Sequence, residues 1–486
     1  MQLDSYRFKN TPMAHQAAYL ARFWRDKNAA VFAEMGTGKS YMAINNIAML
    51  YDNGRINGAL ILAPKGVYRN WLSLELPKHM PEHVQYNVAL WSATAKVEEK
   101  KALGTLYNLD DHLHILVMNT EALQYPGSKA QVFAERFILS HNAMVIVDES
   151  TMIKNPKANR TKVVTKIGFH AKYRRILTGS PVTRSPLDLY AQCGFLDHSL
   201  LGYSSYFAFQ MRYAIMVKRK AAGGGREFNQ VVGYRHLEEL TEKLKKFSFR
   251  VTKEECLDLP EKVYAFREVE LTEEQERVYK QMKKMALSVL SDGSITSTST
   301  ALTQLLRLHQ IVCGHLKTDE GEVKALPSNR IAALMDCIEE TTGKVIIWSN
   351  FTSDLEQIYD ELSRKYGGGC AAKYYGKTLG EERQKIVNDF QDPNSELRFF
   401  IGQARTGGYG LTLTEASTVI YFSNSFDLEQ RLQSEDRAHR IGQTKSVTYV
   451  DLVARGTIDE RIVEALRNKI DIASQVMGEE IRKWLI

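Results

Sequence analysis

The stretch Ala33-Glu34-Met35-Gly36-Thr37-Gly38-Lys39-Ser40 constrains the fold more than any other part of this 486-residue chain. An apolar run from Ala29 to Phe32 precedes it and Tyr41-Met42-Ala43-Ile44 follows, so the pattern reads strand, tight loop, helix. Gly36 and Gly38 let the backbone around Met35 and Thr37 wrap until its N–H groups face phosphate oxygens, with the positive end of the next helix behind them. In that setting Lys39 neutralises the outer phosphates of a nucleoside triphosphate and Ser40 offers its hydroxyl to magnesium. A glycine turn with a chance Gly-Lys-Ser is the weaker alternative, because the whole pattern stands in the strand-to-helix context. Upstream, Gln16 carries an amide that can meet an adenine edge as donor and acceptor together.

The chain then alternates strand-like and helical segments. Ala59 to Lys65 is a buried-strand pattern ending in Pro64-Lys65, and His114 to Glu121 is another, with Asn119-Thr120 at its tip. Such alternation predicts an α/β fold with a parallel sheet whose carboxyl ends gather on one ligand side. Ala143-Met144-Val145-Ile146-Val147 delivers Asp148-Glu149 to that side. Paired carboxylates there divide the work, Asp148 as metal ligand and Glu149 as the base that orients and deprotonates water. A further strand, Arg174 to Leu177, ends in Thr178-Gly179-Ser180-Pro181, whose hydroxyls are placed to hydrogen-bond to the carboxylate loop or simply to make a turn.

At 486 residues the chain exceeds one compact core, and its 44% hydrophobic and 25% charged residues mark an ordinary globular protein of two or three domains. We divide it at 1–190, an N-terminal nucleotide-binding lobe; 191–327, a helical connector and insertion; 328–470, a second lobe; and 471–486, a C-terminal helix. From about Pro186 to Leu326 the pattern reads mostly helical, interrupted by the basic stretch Lys218 to Arg226 and the low-complexity stretch Ser291 to Thr300. Both read as connectors, the first with a second reading as a phosphate-backbone contact. No apolar run is long enough to span a bilayer, and the start lacks the layout of a secretory signal, so a cytoplasmic or nuclear site is expected, cytoplasmic on the nucleoid in a bacterium or in the host cytoplasm for a virus. The five cysteines form no CxxC pair, which argues against zinc and for reduced thiols. A net charge of +7 suits a polyanionic partner without demanding one.

Five strands are expected in the second lobe, beginning at Lys344, Ala371, Leu397, Thr418 and Val447, and none is followed by a phosphate loop. The lobe instead offers Gln433-Ser434-Glu435-Asp436-Arg437-Ala438-His439-Arg440-Ile441-Gly442-Gln443. If this is helical, Arg437 and Arg440 share a face with Gln433 one turn earlier. Two guanidiniums on one lobe would then stabilise charge on a γ-phosphate held by the other. An exposed basic helix is the plain alternative.

Together the stretches from Glu34 to Ser40, Leu62-Ala63-Pro64-Lys65 with Asn70-Trp71, Asp148-Glu149-Ser150-Thr151, Leu177 to Pro181, Gly407 to Thr414 and Arg437 to Gln443 resemble the superfamily-two helicase-like ATPases. Among these the chain is most similar to the Swi/Snf-type DNA translocases. Leu302 to Gln310 looks like the helix that precedes their second lobe. The resemblance implies two RecA-like lobes that close on ATP and Mg²⁺ and track along double-stranded or branched DNA. It assigns Gln16 to adenine, Lys39 and Ser40 to phosphate and magnesium, Asp148 and Glu149 to metal and water, and Arg437 and Arg440 to the arginine-finger role. Gly410 shapes a nucleotide-facing loop, and DNA contacts fall on Pro64, Lys65, Asn119, Thr120, Ser349, Asn350, Arg405 and Thr406. Thr37, Ala33 and Thr151 depart from the usual leucine, aspartate and histidine. Short insertions favour a minimal monomeric translocase over a nucleosome remodeller, with no membrane partner and protein partners unspecified. The alternatives are a strand-separating or branch-migrating helicase and a non-hydrolysing, ATP-switched DNA-binding module.

Overall fold

The computed structural model describes residues 5–220, 227–291, 298–318, 322–407 and 411–478. The described residues divide into two compact units: 5–214, 234–258 and 472–478 form the first, and those of 215–233 and 259–471 the second.

In the first unit, β1 (Asn28–Ala33), β2 (Gly58–Ala63), β3 (Tyr86–Leu90), β4 (Leu113–Asn119), β5 (Ala143–Asp148) and β6 (Tyr173–Leu177) lie in one sheet. The strands β7 (Ala214–Lys220) and β8 (Glu227–Tyr234), which belong to the second unit except for Ala214 and Tyr234, form a separate two-stranded sheet, and β9 (Ser248–Val251) then completes the sheet of the first unit. The order is β3-β4-β2-β5-β6-β1-β9, and every pairing is parallel. Its central strands are continuous apolar runs because helices cover both faces. On one face Val31, Ile61, Val117 and Ile146 pack in a core with Met42, Ile47 and Leu50 of the helix Lys39–Asp52 and Tyr19 and Phe23 of the helix Ala14–Phe23.

The second unit holds β10 (Lys262–Glu268), the short antiparallel pair β11 (His315–Lys317) and β12 (Val323–Ala325), then β13 (Lys344–Trp348), β14 (Ala371–Tyr374), β15 (Phe399–Gly402), β16 (Ala416–Tyr421) and β17 (Val447–Val453). Six of them form an all-parallel sheet in the order β10-β17-β16-β13-β15-β14. Alternate residues of β13 serve opposite cores: Val345 and Ile347 pack with Leu355 and Ile358, whereas Ile346 and Trp348 pack with Phe390 and Leu413. The two parallel sheets are the expected pair of α/β lobes.

The stretch from Pro186 to Leu326 is mostly helical, as expected, through Leu189–Leu196, Tyr206–Tyr213, Leu237–Lys245, Glu273–Ser291 and Thr298–Val312, but it also carries strands that the sequence pattern did not announce. It supplies β7 and β8, β9 of the first sheet and β10 of the second. Lys218 and Arg219, read as part of a basic loop, stand in β7; residues 221–226 of that loop and 292–297 of the low-complexity stretch lie outside the described residues. The helix Thr298–Val312 contains the segment expected to precede the second lobe. Among the described residues no helix is long and apolar enough to cross a membrane.

Candidate active site

Strand order assembles the site in the first unit. Because β2, β5, β6 and β1 are neighbours in a parallel sheet, their carboxyl ends bring the segment after β2, the Asp148-Glu149 pair, Thr178 and the phosphate loop side by side. The loop turns at Gly36 (φ 85°) and Gly38 (φ 89°), left-handed conformations that favour glycine, and the helix begins at Lys39. Inside the loop Thr37 donates its N–H and hydroxyl to the Glu34 carbonyl at 3.3 and 2.8 Å, closing it into a ring. Lys39 spans it, its ammonium 3.1 Å from the Ala33 carbonyl and 3.4 Å from that of Glu34. Met35 and Ser40 are half-buried on the same turn.

Gln16 sits against this loop. Its Oε1 accepts from the Met13 N–H at 3.0 Å, and its Nε2 donates to the Thr37 carbonyl at 3.2 Å, where the His15 ring also points, at 2.7 Å. A Cβ on Gly38 would lie 2.2 Å from that Nε2. These contacts of the Gln16 amide hold the loop to the helix Ala14–Phe23.

Asp148 ends β5 with both carboxylate oxygens engaged. Oδ1 accepts the Glu149 N–H at 3.0 Å and Oδ2 accepts the Trp71 indole N–H at 3.0 Å. Burial pushes its carboxyl above the usual aspartate range, opposed by the nearby Lys39 charge and by these two hydrogen bonds. Glu149 adopts φ 48°, ψ 63°, a left-handed conformation that costs a non-glycine residue about 1–3 kcal/mol. The turn is held by the Met152 N–H on the Glu149 carbonyl at 3.0 Å, and Thr178 Oγ1 donates to Glu149 Oε2 at 3.3 Å. The expected bond from the strand tip to the carboxylate loop is therefore made by Thr178. Ser180 instead donates its N–H to Thr178 Oγ1 at 3.2 Å.

Several residues that build the site carried no sequence signal of that role. Gln192 accepts from the Ser150 hydroxyl at 2.7 Å and donates to the Pro181 carbonyl at 2.8 Å, tying the carboxylate turn to the turn after β6. Arg250 on β9 donates to the carbonyls of Phe32 and Gly179 at 3.1 and 3.0 Å and pairs with Glu34 at 3.6 Å. A Cβ on Gly179 would lie 3.3 Å from the Met35 nitrogen, so a residue without one lets the β6 turn approach the phosphate loop. Trp71 was visible in the sequence only as part of a family pattern.

In the second unit the helix that carries Gln433 spans Leu428–Glu435, started by Asp427, whose Oδ1 accepts the Glu429 N–H at 3.0 Å. It stops before the arginines, which corrects the expectation of one continuous helix with a shared face. The Gln443 amide donates to the carbonyls of Thr414, Ala416 and Ala438 at 2.9, 2.9 and 3.1 Å and folds the segment back as turns, with Gly442 at φ 101°. Arg437 and Arg440 nevertheless converge, both donating to the Leu411 carbonyl, at 3.1 and 3.0 Å. Arg437 is buried, its Nε on the Gln433 carbonyl at 2.9 Å; Arg440 is half-buried. The Gln433 amide donates to Glu429 at 3.4 Å. Gly410 lies outside the described residues.

A network centred on the buried Arg431, Glu435 and Asp451 supports this segment. Arg431 pairs with Asp451 and Glu435 and stacks 3.5 Å from the Tyr421 ring centroid. Glu435 also accepts from Lys262 at 3.1 Å and Tyr264 at 2.7 Å, both on β10. Burial alone would push the Glu435 carboxyl up, but Lys262 and Arg431 outweigh it and hold it at about 2.

The eight candidate nucleic-acid residues separate by exposure. Lys65 and Arg405 present exposed cations, and Thr406 is half-buried beside Arg405. Pro64 is buried, its carbonyl accepting from Val67 and Tyr68 at 2.9 Å. Asn119 is half-buried, its Oδ1 capping the next turn through the Ala122 N–H at 2.8 Å. The half-buried Asn350 donates its N–H to Ser423 Oγ at 2.9 Å. Thr120 and Ser349 are corrections: Thr120 is fully buried in the first turn after β4, and Ser349, 1% exposed, donates its hydroxyl inward to Asp354 at 2.5 Å. Neither side chain is exposed.

The helicase conserved C-terminal domain matches residues 329–442. Curated relatives include the chromatin structure-remodeling complex subunit snf21 of Schizosaccharomyces pombe, 25% identical over 93% of this chain and 37% of its own length. Another is the probable ATP-dependent DNA helicase CHR12 of Arabidopsis thaliana, 27% identical over 94% of this chain and 40% of its own. The chain thus spans well under half of each of these relatives. A solved Sulfolobus solfataricus SWI2/SNF2 ATPase core in complex with dsDNA is 25% identical, with a TM-score of 0.42, over 98% of this chain and 96% of that one. The SNF2-related domain matches residues 15–317, well over half of the sequence, and the chain belongs to that family.

Proposed function

We propose that the protein is a DNA-dependent ATPase that hydrolyses ATP and tracks along double-stranded DNA. The observation that carries this reading is the juxtaposition, on adjacent strand ends of the first unit, of the phosphate loop with Lys39, the Asp148-Glu149 pair and Thr178. The loop N–H groups and Lys39 suit a triphosphate tail. Glu149, oriented by Thr178, is the base that positions and deprotonates the attacking water. The Arg437 and Arg440 pair, converging on the Leu411 carbonyl within the second unit, is the arginine-finger candidate that the family resemblance implies. The names of the curated relatives, one a probable ATP-dependent DNA helicase and one a chromatin structure-remodeling complex subunit, support DNA as the partner.

Magnesium fits the donors present. Asp148 and Ser40 offer hard oxygen ligands, and each Asp148 oxygen, holding one N–H, retains a lone pair. When bound, the ion would neutralise charge on the phosphate oxygens.

ATPase rates with and without duplex DNA test the proposal. Duplex should raise the rate in wild type, Glu149→Gln should abolish turnover, and Arg440→Ala should slow it by about 10³-fold or more with nucleotide binding retained. No stimulation by any nucleic acid, or unchanged turnover in Glu149→Gln, would overturn it; the second result would favour a nucleotide-switched binding module.

A further inference from the structure

We infer that Trp71 is a positioning residue for the divalent-metal site: its indole N–H fixes the plane of the Asp148 carboxylate. This inference rests on the reading of Asp148 given above. Trp71 is 2% exposed and lies in the first unit's core with Tyr68 and Leu76. It opens a five-residue π-helical turn, Trp71–Glu75, in the segment that follows β2, the direct neighbour of β5. Such a turn re-aims side chains relative to a regular helix, and here the indole meets Asp148 Oδ2 at 3.0 Å.

The chemistry of the pair gives the contact its direction. An indole N–H only donates, so it selects an acceptor oxygen. With the Glu149 N–H on Oδ1 at 3.0 Å, the carboxylate is pinned at both oxygens and its rotation about the last side-chain bond is fixed. The remaining lone pairs then point in set directions. The ring cannot swing away without opening the core, so the constraint is rigid. Donors of this kind behind a ligating group change metal affinity when removed, although they never touch the ion.

The test uses the full chain and fluorescent mant-ATP, titrated in EDTA and across a magnesium series. Trp71→Phe keeps an aromatic ring and deletes the donor. Replacing Trp71 by β-(3-benzothienyl)alanine deletes it with almost no change of shape, and decides the matter if the phenylalanine variant does not fold. The half-saturating magnesium concentration for tight nucleotide binding should rise about 10- to 100-fold, with affinity in EDTA unchanged. An unaltered magnesium requirement in either folded variant overturns the inference, as does an equal loss of affinity with and without magnesium, which would mark Trp71 as packing alone. If wild type itself binds nucleotide without regard to magnesium, the reading of the whole site fails, and this inference with it.

Discussion

Thr178→Val removes one hydroxyl and almost no volume from a position that is 1% exposed. The lost group donates to Glu149 Oε2 at 3.3 Å and accepts the Ser180 N–H at 3.2 Å. A hydrogen bond to a charged group is worth about 1.5–3 kcal/mol, and 3.3 Å is long for a hydroxyl donor, so the lower half of that range applies. If that energy serves to hold Glu149 in its attacking geometry, kcat falls by about 13- to 45-fold. Mant-ATP affinity should not move, because Thr178 has no bond to the phosphate loop itself. Thr178→Ser, which restores the hydroxyl, should recover most of the rate. Stopped-flow single turnovers at saturating ATP and duplex DNA separate these effects. A folded Thr178→Val protein with wild-type kcat, or one whose whole defect lies in nucleotide affinity, would refute the assignment of Thr178 as the group that orients Glu149.

In the second unit, Arg431→Met should destabilise by about 3–5 kcal/mol, because it removes the cation paired with the buried Asp451 carboxylate and one of the two cations on Glu435; urea unfolding followed by fluorescence reads this, and a loss below about 1 kcal/mol would contradict it. Glu435 predicts an acid limb: its folded pKa of about 2 lies below the ordinary glutamate value, so its contribution is complete above about pH 4.3 and disappears as pH falls through about 2. Glu435→Gln should flatten unfolding free energy across that window, and a curve parallel to wild type would count against the network.

What could be read in the sequence was the central machinery. The phosphate loop, the Asp148-Glu149 pair and the Thr178 turn follow strands buried on both faces, and such strands announce themselves as unbroken apolar runs. The strands that escaped notice are edges. β3, β9 and β10 lie at sheet margins, are short or carry charge, as in Lys262-Val263-Tyr264-Ala265-Phe266-Arg267-Glu268, and lack that signal. The end of the helix at Glu435 was hidden for a different reason. Its stop depends on Gln443 reaching carbonyls at 414 and 416, a contact between distant residues that local periodicity does not contain. Thr120 and Ser349 show the same limit: polar residues at strand ends look like ligand contacts, but only packing decides which way they face. Trp71 and Gln192 act through partners 77 and 42 residues away.

Displacement of a triplex-forming oligonucleotide from duplex DNA tests the account most directly, since a motor moving along the duplex must push it off. Wild-type protein with ATP should release the third strand while the two duplex strands stay paired, and Glu149→Gln should release none. ATP turnover without displacement, or separation of the duplex itself, would contradict movement along intact double-stranded DNA.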